Sequence, residues 1–260
     1  MKRSRTTYLD AEARLGGAFL HPGGRLATDL LLDFIAPGAD DTILELGCGP
    51  GTTTELVAKR PGVSVVAIDA STAMLHTARK RIERAGLAEP VRFGRHDLNL
   101  PLPFPDASFE AVCAESVIAL LDPEPVLREA ARVLRSGGKL ALNERIWRSG
   151  ISQEQVDLTN AGSLEAFGIP AATPAPLDRD RWIEILERLG LHVDDVIAVA
   201  DLQPPANGPS VLRSRIERYR HYVLRPDLAW NQLQFKLALR QRRPSFDTLE
   251  SYLFFAHKPR

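Results

Sequence analysis

Residues 43–54 read Ile-Leu-Glu-Leu-Gly-Cys-Gly-Pro-Gly-Thr-Thr-Thr. An apolar run carries a carboxylate, Glu45, and three glycines follow at alternate positions, Gly47, Gly49 and Gly51. A Thr-rich stretch then opens a helical pattern at Glu55-Leu56-Val57-Ala58. This is a strand turning tightly into a helix. Glycine tolerates positive φ and carries no Cβ, so the turn leaves main-chain atoms bare for a ligand. Its plain reading is an ordinary strand-to-helix connection.

Segments further along give the turn its context. Val63-Ser64-Val65-Val66-Ala67-Ile68-Asp69 reads as a second buried strand ending in an acid about 20 residues beyond the glycines, where a carboxylate can accept from two vicinal ribose hydroxyls. Ser71 caps a following helix that sets Met74, Leu75 and Ala78 on one face. Val91-Arg92-Phe93 leads to His96-Asp97-Leu98, and Asp106–Glu115 reads as a fourth strand. Val133-Leu134-Arg135-Ser136-Gly137-Gly138-Lys139-Leu140 reads as a helix end turning into a fifth, with the glycines stopping the helix.

These five segments, in this order over residues 41–144, resemble the class I S-adenosylmethionine (SAM) dependent methyltransferases, whose first motif is Glu-x-Gly-x-Gly-x-Gly. The rival dinucleotide fingerprint, Gly-x-Gly-x-x-Gly, fits less well because the third glycine comes one residue early and Pro50 lies before it. The resemblance implies SAM as cofactor and S-adenosylhomocysteine (SAH) as product. It places the cofactor against Glu45, Gly47, Cys48, Gly49 and Gly51, with Asp69 and Ala70 at the ribose and Met74 nearby. It sets Asp97 and Leu98 at the adenine, and Glu115 and Ser116 at the methionine end.

Alternating strands and helices imply an α/β fold: a Rossmann-like, seven-stranded, mostly parallel sheet with helices on both faces. Tyr252–His257 suits the family's antiparallel seventh strand and reads as an edge strand. The expected organisation is an N-terminal helical lid over residues 1–40 and a SAM-binding domain over 41–260, with helical cap insertions at about 145–177 and 202–248. The lid helix, Arg25–Ile35, is expected to turn Leu26, Leu30, Leu31 and Phe34 inward.

Charge balances at 33 basic and 33 acidic residues, which argues against a general nucleic-acid binder. Two cysteines make no disulfide framework, no cluster suggests a metal, and no apolar run approaches about 18 residues, so no membrane span is expected. The expectation is a cytoplasmic enzyme acting on a small-molecule acceptor in secondary metabolism, in a homodimer if the helical additions pair. A macromolecular substrate (tRNA or protein) and a non-catalytic SAM-binding protein are the alternatives.

Methyl transfer is an in-line displacement that needs alignment more than a fixed catalytic residue, so the acceptor side is less legible. Glu144, following strand five, is a candidate base, with a surface ion pair as its plain reading. His21, in the His-Pro-Gly-Gly break, is a second candidate, and His221, between Tyr219 and Tyr222, a third. Arg145, Tyr219 and Tyr222 are candidate substrate contacts. The basic run over 211–243 would attract an anionic acceptor.

Overall fold

The computed structural model describes residues 19–202 and 246–260. The expected contacts at Tyr219, His221 and Tyr222, and the second cap insertion with its basic run, fall outside the described residues apart from the insertion's ends.

The chain runs α1 (Gly24–Ile35), β1 (Thr42–Leu46), α2 (Thr52–Ala58), β2 (Ser64–Asp69), α3 (Thr72–Arg84), β3 (Val91–Arg95), β4 (Phe109–Glu115), α4 (Pro123–Val133), β5 (Leu134–Trp147), α5 (Gln153–Phe167), α6 (Arg179–Arg188), β6 (His192–Ala198) and β7 (Leu249–His257). The seven strands order as β3-β2-β1-β4-β5-β7-β6. Strands β1 to β5 pair in parallel, while β7 runs antiparallel between β5 and β6. The seventh strand is therefore interior, and β6 takes the edge. The apolar run Leu253-Phe254-Phe255-Ala256, 5% exposed or less at each residue, demands cover on both faces and both sides.

Side-chain alternation divides each strand between two cores. Ile43, Ala67, Cys113, Ala141 and Phe255 pack beneath α1, α2 and α3. Leu44, Ile68, Val112, Leu142 and Phe254 pack beneath α4 and α6, where Trp182 stacks on Phe254 with ring centroids 5.6 Å apart. Burying each such side chain contributes roughly 1.5–3 kcal/mol.

Local expectations are adjusted at three places. Helix α1 buries Ala27, Thr28, Leu31, Leu32 and Ile35; of the expected stripe, Leu31 is buried and Leu30 and Phe34 pack half-buried against the same core, while Leu26 is not part of it. The helix lies on the sheet as part of the helical layer, with Phe34 against Phe255. Helix α4 ends at Val133, four residues before Gly137, and only Gly137 of the two glycines has positive φ. Strand β5 continues to Trp147, so Glu144 and Arg145 lie within it, opposite Tyr252 and Ser251, instead of following it.

Candidate active site

The carboxyl ends of β1, β2, β4 and β5 meet where the strand order reverses, the usual ligand crevice of such sheets. The glycine turn forms its floor. Gly47, Gly49 and Gly51 have φ of 68°, 51° and 78°, in the left-handed region that a side chain resists. A Cβ on Gly47 would stand 2.7 Å from the Val117 side chain, and one on Gly51 2.9 Å from the Ala78 Cα. A Cβ on Gly49 would meet nothing within 4 Å among the described residues. The outer glycines thus answer to packing, and the middle one borders open space. Asp69 braces the turn, accepting from the Gly49 amide at 2.9 Å and the Ser71 amide at 2.7 Å.

Strand parity sends Glu45, Glu115 and Asn143 to the face under α1 and α2. Glu45 is 5% exposed and accepts from the Thr54 hydroxyl at 2.5 Å. Burial, aided by the neighbouring charges of Glu115 and Asp69, pushes its pKa up to about 8. Burial also raises Asp69. Glu115 gathers four partners: Thr53 Oγ1 at 2.6 Å, Thr28 Oγ1 at 3.0 Å, His21 Nε2 at 3.1 Å and Asn143 Nδ2 at 3.3 Å. It therefore joins α1, α2, β4, β5 and the segment before α1 in one network. Asn143 also contacts His21 Nδ1 at 2.9 Å, so both imidazole nitrogens are engaged. His21 is 7% exposed at its side chain, so it is not a solvated turn residue. Thr28, Thr53 and Asn143 were not singled out from the sequence. The signal available was a lone amide in the apolar run Leu140-Ala141-Leu142-Asn143.

Glu144 faces the opposite way and is fully buried. Its two oxygens accept from the amides of Val117, Ile118 and Ala119 at 3.2, 3.0 and 3.0 Å. Burial outweighs these donors and moves its pKa up to about 7. This geometry makes Glu144 a strut for the loop after β4 and overturns the surface ion pair. The loop begins at Ser116, itself at φ 56°, and carries the Val117 that presses on Gly47.

The remaining expected contacts lie around the same end of the sheet. Met74 is 3% exposed in the first turn of α3, and Cys48 is 5% exposed within the glycine turn, its thiol pKa raised by burial. Ala70 is exposed beyond β2. Asp97 is exposed beyond β3, its pKa held down by the Asn99 amide and side-chain donors, and Leu98 is buried beside it. Arg145 is exposed on β5. Among the described residues no cluster could hold a metal ion, and no helix is long and apolar enough to cross a membrane.

The electrostatics select the ligand. Asp69 and Glu115 converge beside the protonated, buried Glu45, with Glu144 behind, and among the described residues no lysine or arginine pairs with any of them. Such a cleft repels the pyrophosphate of a dinucleotide and attracts a cation. Three buried oxygens in the adjoining segments, Thr52 Oγ1, Ser116 Oγ and Asn143 Oδ1, have no hydrogen-bond partner among the described residues and keep their acceptor capacity. A cofactor that carries a sulfonium and an ammonium fits these acceptors, and the bare backbone at Gly49 gives it room.

Comparison with known proteins agrees. The model of the methyltransferase domain matches residues 44–142. Methyltransferase GfsG of Streptomyces halstedii is 31% identical over 194 residues, covering 74% of this chain and 67% of that protein. The 27-O-demethylrifamycin SV methyltransferase of Amycolatopsis mediterranei is 39% identical over 118 residues, 45% of this chain and 43% of that one. The solved [4+2]-cyclase SpnF has the same fold, with a TM-score of 0.69 at 22% identity, covering 96% of this chain and 93% of that one. Structures of this fold have been solved with SAM and with SAH in place. Glycine turn, anionic cleft and sequence kinship together place this chain in the class I family of enzymes that transfer methyl groups from S-adenosylmethionine.

Proposed function

We propose that this methyltransferase acts on a small molecule, held at the carboxyl ends of β4 and β5 beneath the segment Phe19–Gly24. The observation that carries the reading is the position of His21. It crosses to Glu115 and Asn143 with both side chains nearly buried, so the segment before α1 closes over the strand ends. A covered pocket suits a small acceptor better than a groove for a polymer. The rifamycin-type relative, whose name specifies a small hydroxylated substrate, supports the same class.

When bound, the cofactor supplies a methyl group activated by positive sulfur. The chain's own residues align and exclude water. Asp69 keeps acceptor capacity for ribose hydroxyls while bracing Gly49. Glu115 and Asp69 supply the negative field, the buried Glu45 holds Thr54, and Glu144 holds the loop that presses on Gly47. Asp97, Leu98 and Met74 border the nucleoside, and the exposed Arg145 offers a cation to an anionic acceptor.

The test is transfer of labelled methyl from SAM. A panel of hydroxylated small molecules, 27-O-demethylrifamycin SV among them, would be compared with bulk tRNA and with lysate protein. Label in a small-molecule product supports the reading. Label in tRNA or protein, falling steeply with salt, would refute it.

A further inference from the structure

The Glu115 carboxylate offers about four acceptor sites, two on each oxygen. Side chains on regular elements take three of them. Thr53 of α2 donates to Oε1 at 2.6 Å, Thr28 of α1 to Oε2 at 3.0 Å, and Asn143 of β5 to Oε2 at 3.3 Å. The last faces the His21 ring, whose Nε2 stands 3.1 Å from Oε2. That ring is the surplus member of the cluster. The Asn143 amide has two hydrogens, and without His21 they match two acceptors, Glu115 Oε2 and the Pro22 carbonyl oxygen at 3.0 Å. With His21 in place a third atom, Nδ1, crowds the same amide at 2.9 Å. Thr28 has one hydroxyl hydrogen, which Glu115 accepts, yet Nε2 also stands 3.2 Å from its oxygen. The segment that carries the ring has anchors of its own. Pro22 is held by Asn143, and Gly23 packs so closely that a Cβ there would stand 2.7 Å from the Ala27 Cβ and 3.0 Å from the Val199 Cγ1. The ring can therefore withdraw by rotating its side-chain bonds while the main chain beside it keeps covering the strand ends.

We infer that the His21 ring is a built-in placeholder: it covers the one acceptor site of Glu115 that the rest of the fold leaves for a ligand, and the cofactor displaces it by bringing a donor of its own. The inference rests on the reading that Glu115 borders the cofactor. It makes His21 an autoinhibitory contact, opposite in sign to a residue that grips the nucleoside. Glu115 is 8% exposed at its side chain, and a carboxylate so buried is costly to leave unpaired. Exchange of the ring for the ligand keeps it partnered before and after binding. The same exchange weakens the measured affinity, because the site is competent only for the fraction of time that the ring is withdrawn.

Two measurements test this, and both use SAH so that no chemistry intervenes. Calorimetric titration should show His21→Ala binding SAH about tenfold more tightly than wild type, the gain expected if the ring holds the site for about nine-tenths of the time. In the wild type, labelling with diethyl pyrocarbonate read by mass spectrometry should find His21 slow, as its 7% exposure requires, and several-fold faster once SAH saturates the protein. His192, exposed at the start of β6, serves as the reference whose rate stays constant.

A wild type that binds SAH, with a His21→Ala protein that binds it equally or more weakly, would overturn the inference and leave the cofactor reading standing. So would labelling of His21 that SAH slows or leaves unchanged, since a ring that closes over the ligand is protected by it. If His21→Ala fails to fold, the labelling of the wild type still decides. Failure of both proteins to bind SAH would remove the cofactor reading, and the placeholder with it.

Discussion

Alanine at each of the three glycines should separate folding from binding. All three have positive φ, so each replacement costs about 1–2 kcal/mol of backbone strain. At Gly51 the new methyl stands 2.8 Å from the Ala78 Cβ and 2.9 Å from its Cα, so helix α3 itself must shift, adding roughly 1–3 kcal/mol of overpacking. At Gly47 it meets three atoms of Val117 between 2.7 and 2.9 Å, and the loop tied to Glu144 must move, at a similar cost. At Gly49 the methyl meets nothing among the described residues within 4 Å. Gly49→Ala should therefore lose only about 1–2 kcal/mol in urea unfolding, while Gly51→Ala loses about 2–5 kcal/mol. Calorimetric titration with SAH should reverse the ranking. The Gly49→Ala methyl fills space the nucleoside needs, and affinity should fall at least about 30-fold, or roughly 2 kcal/mol. Wild-type SAH affinity in a folded Gly49→Ala protein would refute the placement of the cofactor over this glycine. Equal destabilisation of Gly49→Ala and Gly51→Ala would refute the packing argument.

Glu144→Gln sets an amide NH2 where one carboxylate oxygen now accepts, leaving a buried backbone N–H without its partner; denaturant titration should show a loss of about 1–3 kcal/mol, and unchanged stability would return Glu144 to the chemistry. The raised pKa values of Glu45 and Glu144 carry a signed prediction: from about 4.5 upward the folded chain holds protons the unfolded chain has released, so stability should fall as pH rises, to about 7 for Glu144 and about 8 for Glu45. The slope is at most about 1.4 kcal/mol per pH unit for each group, and Glu45→Gln should flatten its share; urea unfolding at pH 5.5, 7 and 8.5 with rising stability would contradict the sign.

The cofactor half of the site was legible because its chemistry is carried by local sequence. A glycine turn, an acid at the end of the next strand and a capped helix are each set by a few adjacent residues. Their order along alternating strands is enough to bring them to one crevice. The seventh strand was legible for the same reason. Its interior place was not, because whether a run is an edge depends on which strand arrives beside it, and β6 comes from a segment more than fifty residues earlier in the chain.

The acceptor side illustrates a different limit. Glu144 is the chemically conspicuous residue at the end of the fifth strand, and its neighbour Asn143 is the inconspicuous one. A strand alternates its faces every residue, so one position of phase decides which of the two meets the crevice. The phase was readable in principle from Ala141 and Leu142, but only with knowledge of which core each would join. That knowledge belongs to the packed sheet: Ala141 goes under α1 and carries Asn143 with it to Glu115, while Leu142 goes under α4 and carries Glu144 to the backbone of 117–119. The same parity makes the two acids of this region unequal. Glu115 is held by hydroxyls, an imidazole and an amide, whereas Glu144 is spent on main-chain amides. A carboxylate whose oxygens accept three backbone N–H groups stabilises a loop whether or not any substrate arrives. One surrounded by side chains from four other segments responds to what enters between them, and the chemistry specific to this enzyme is therefore to be sought at Glu115.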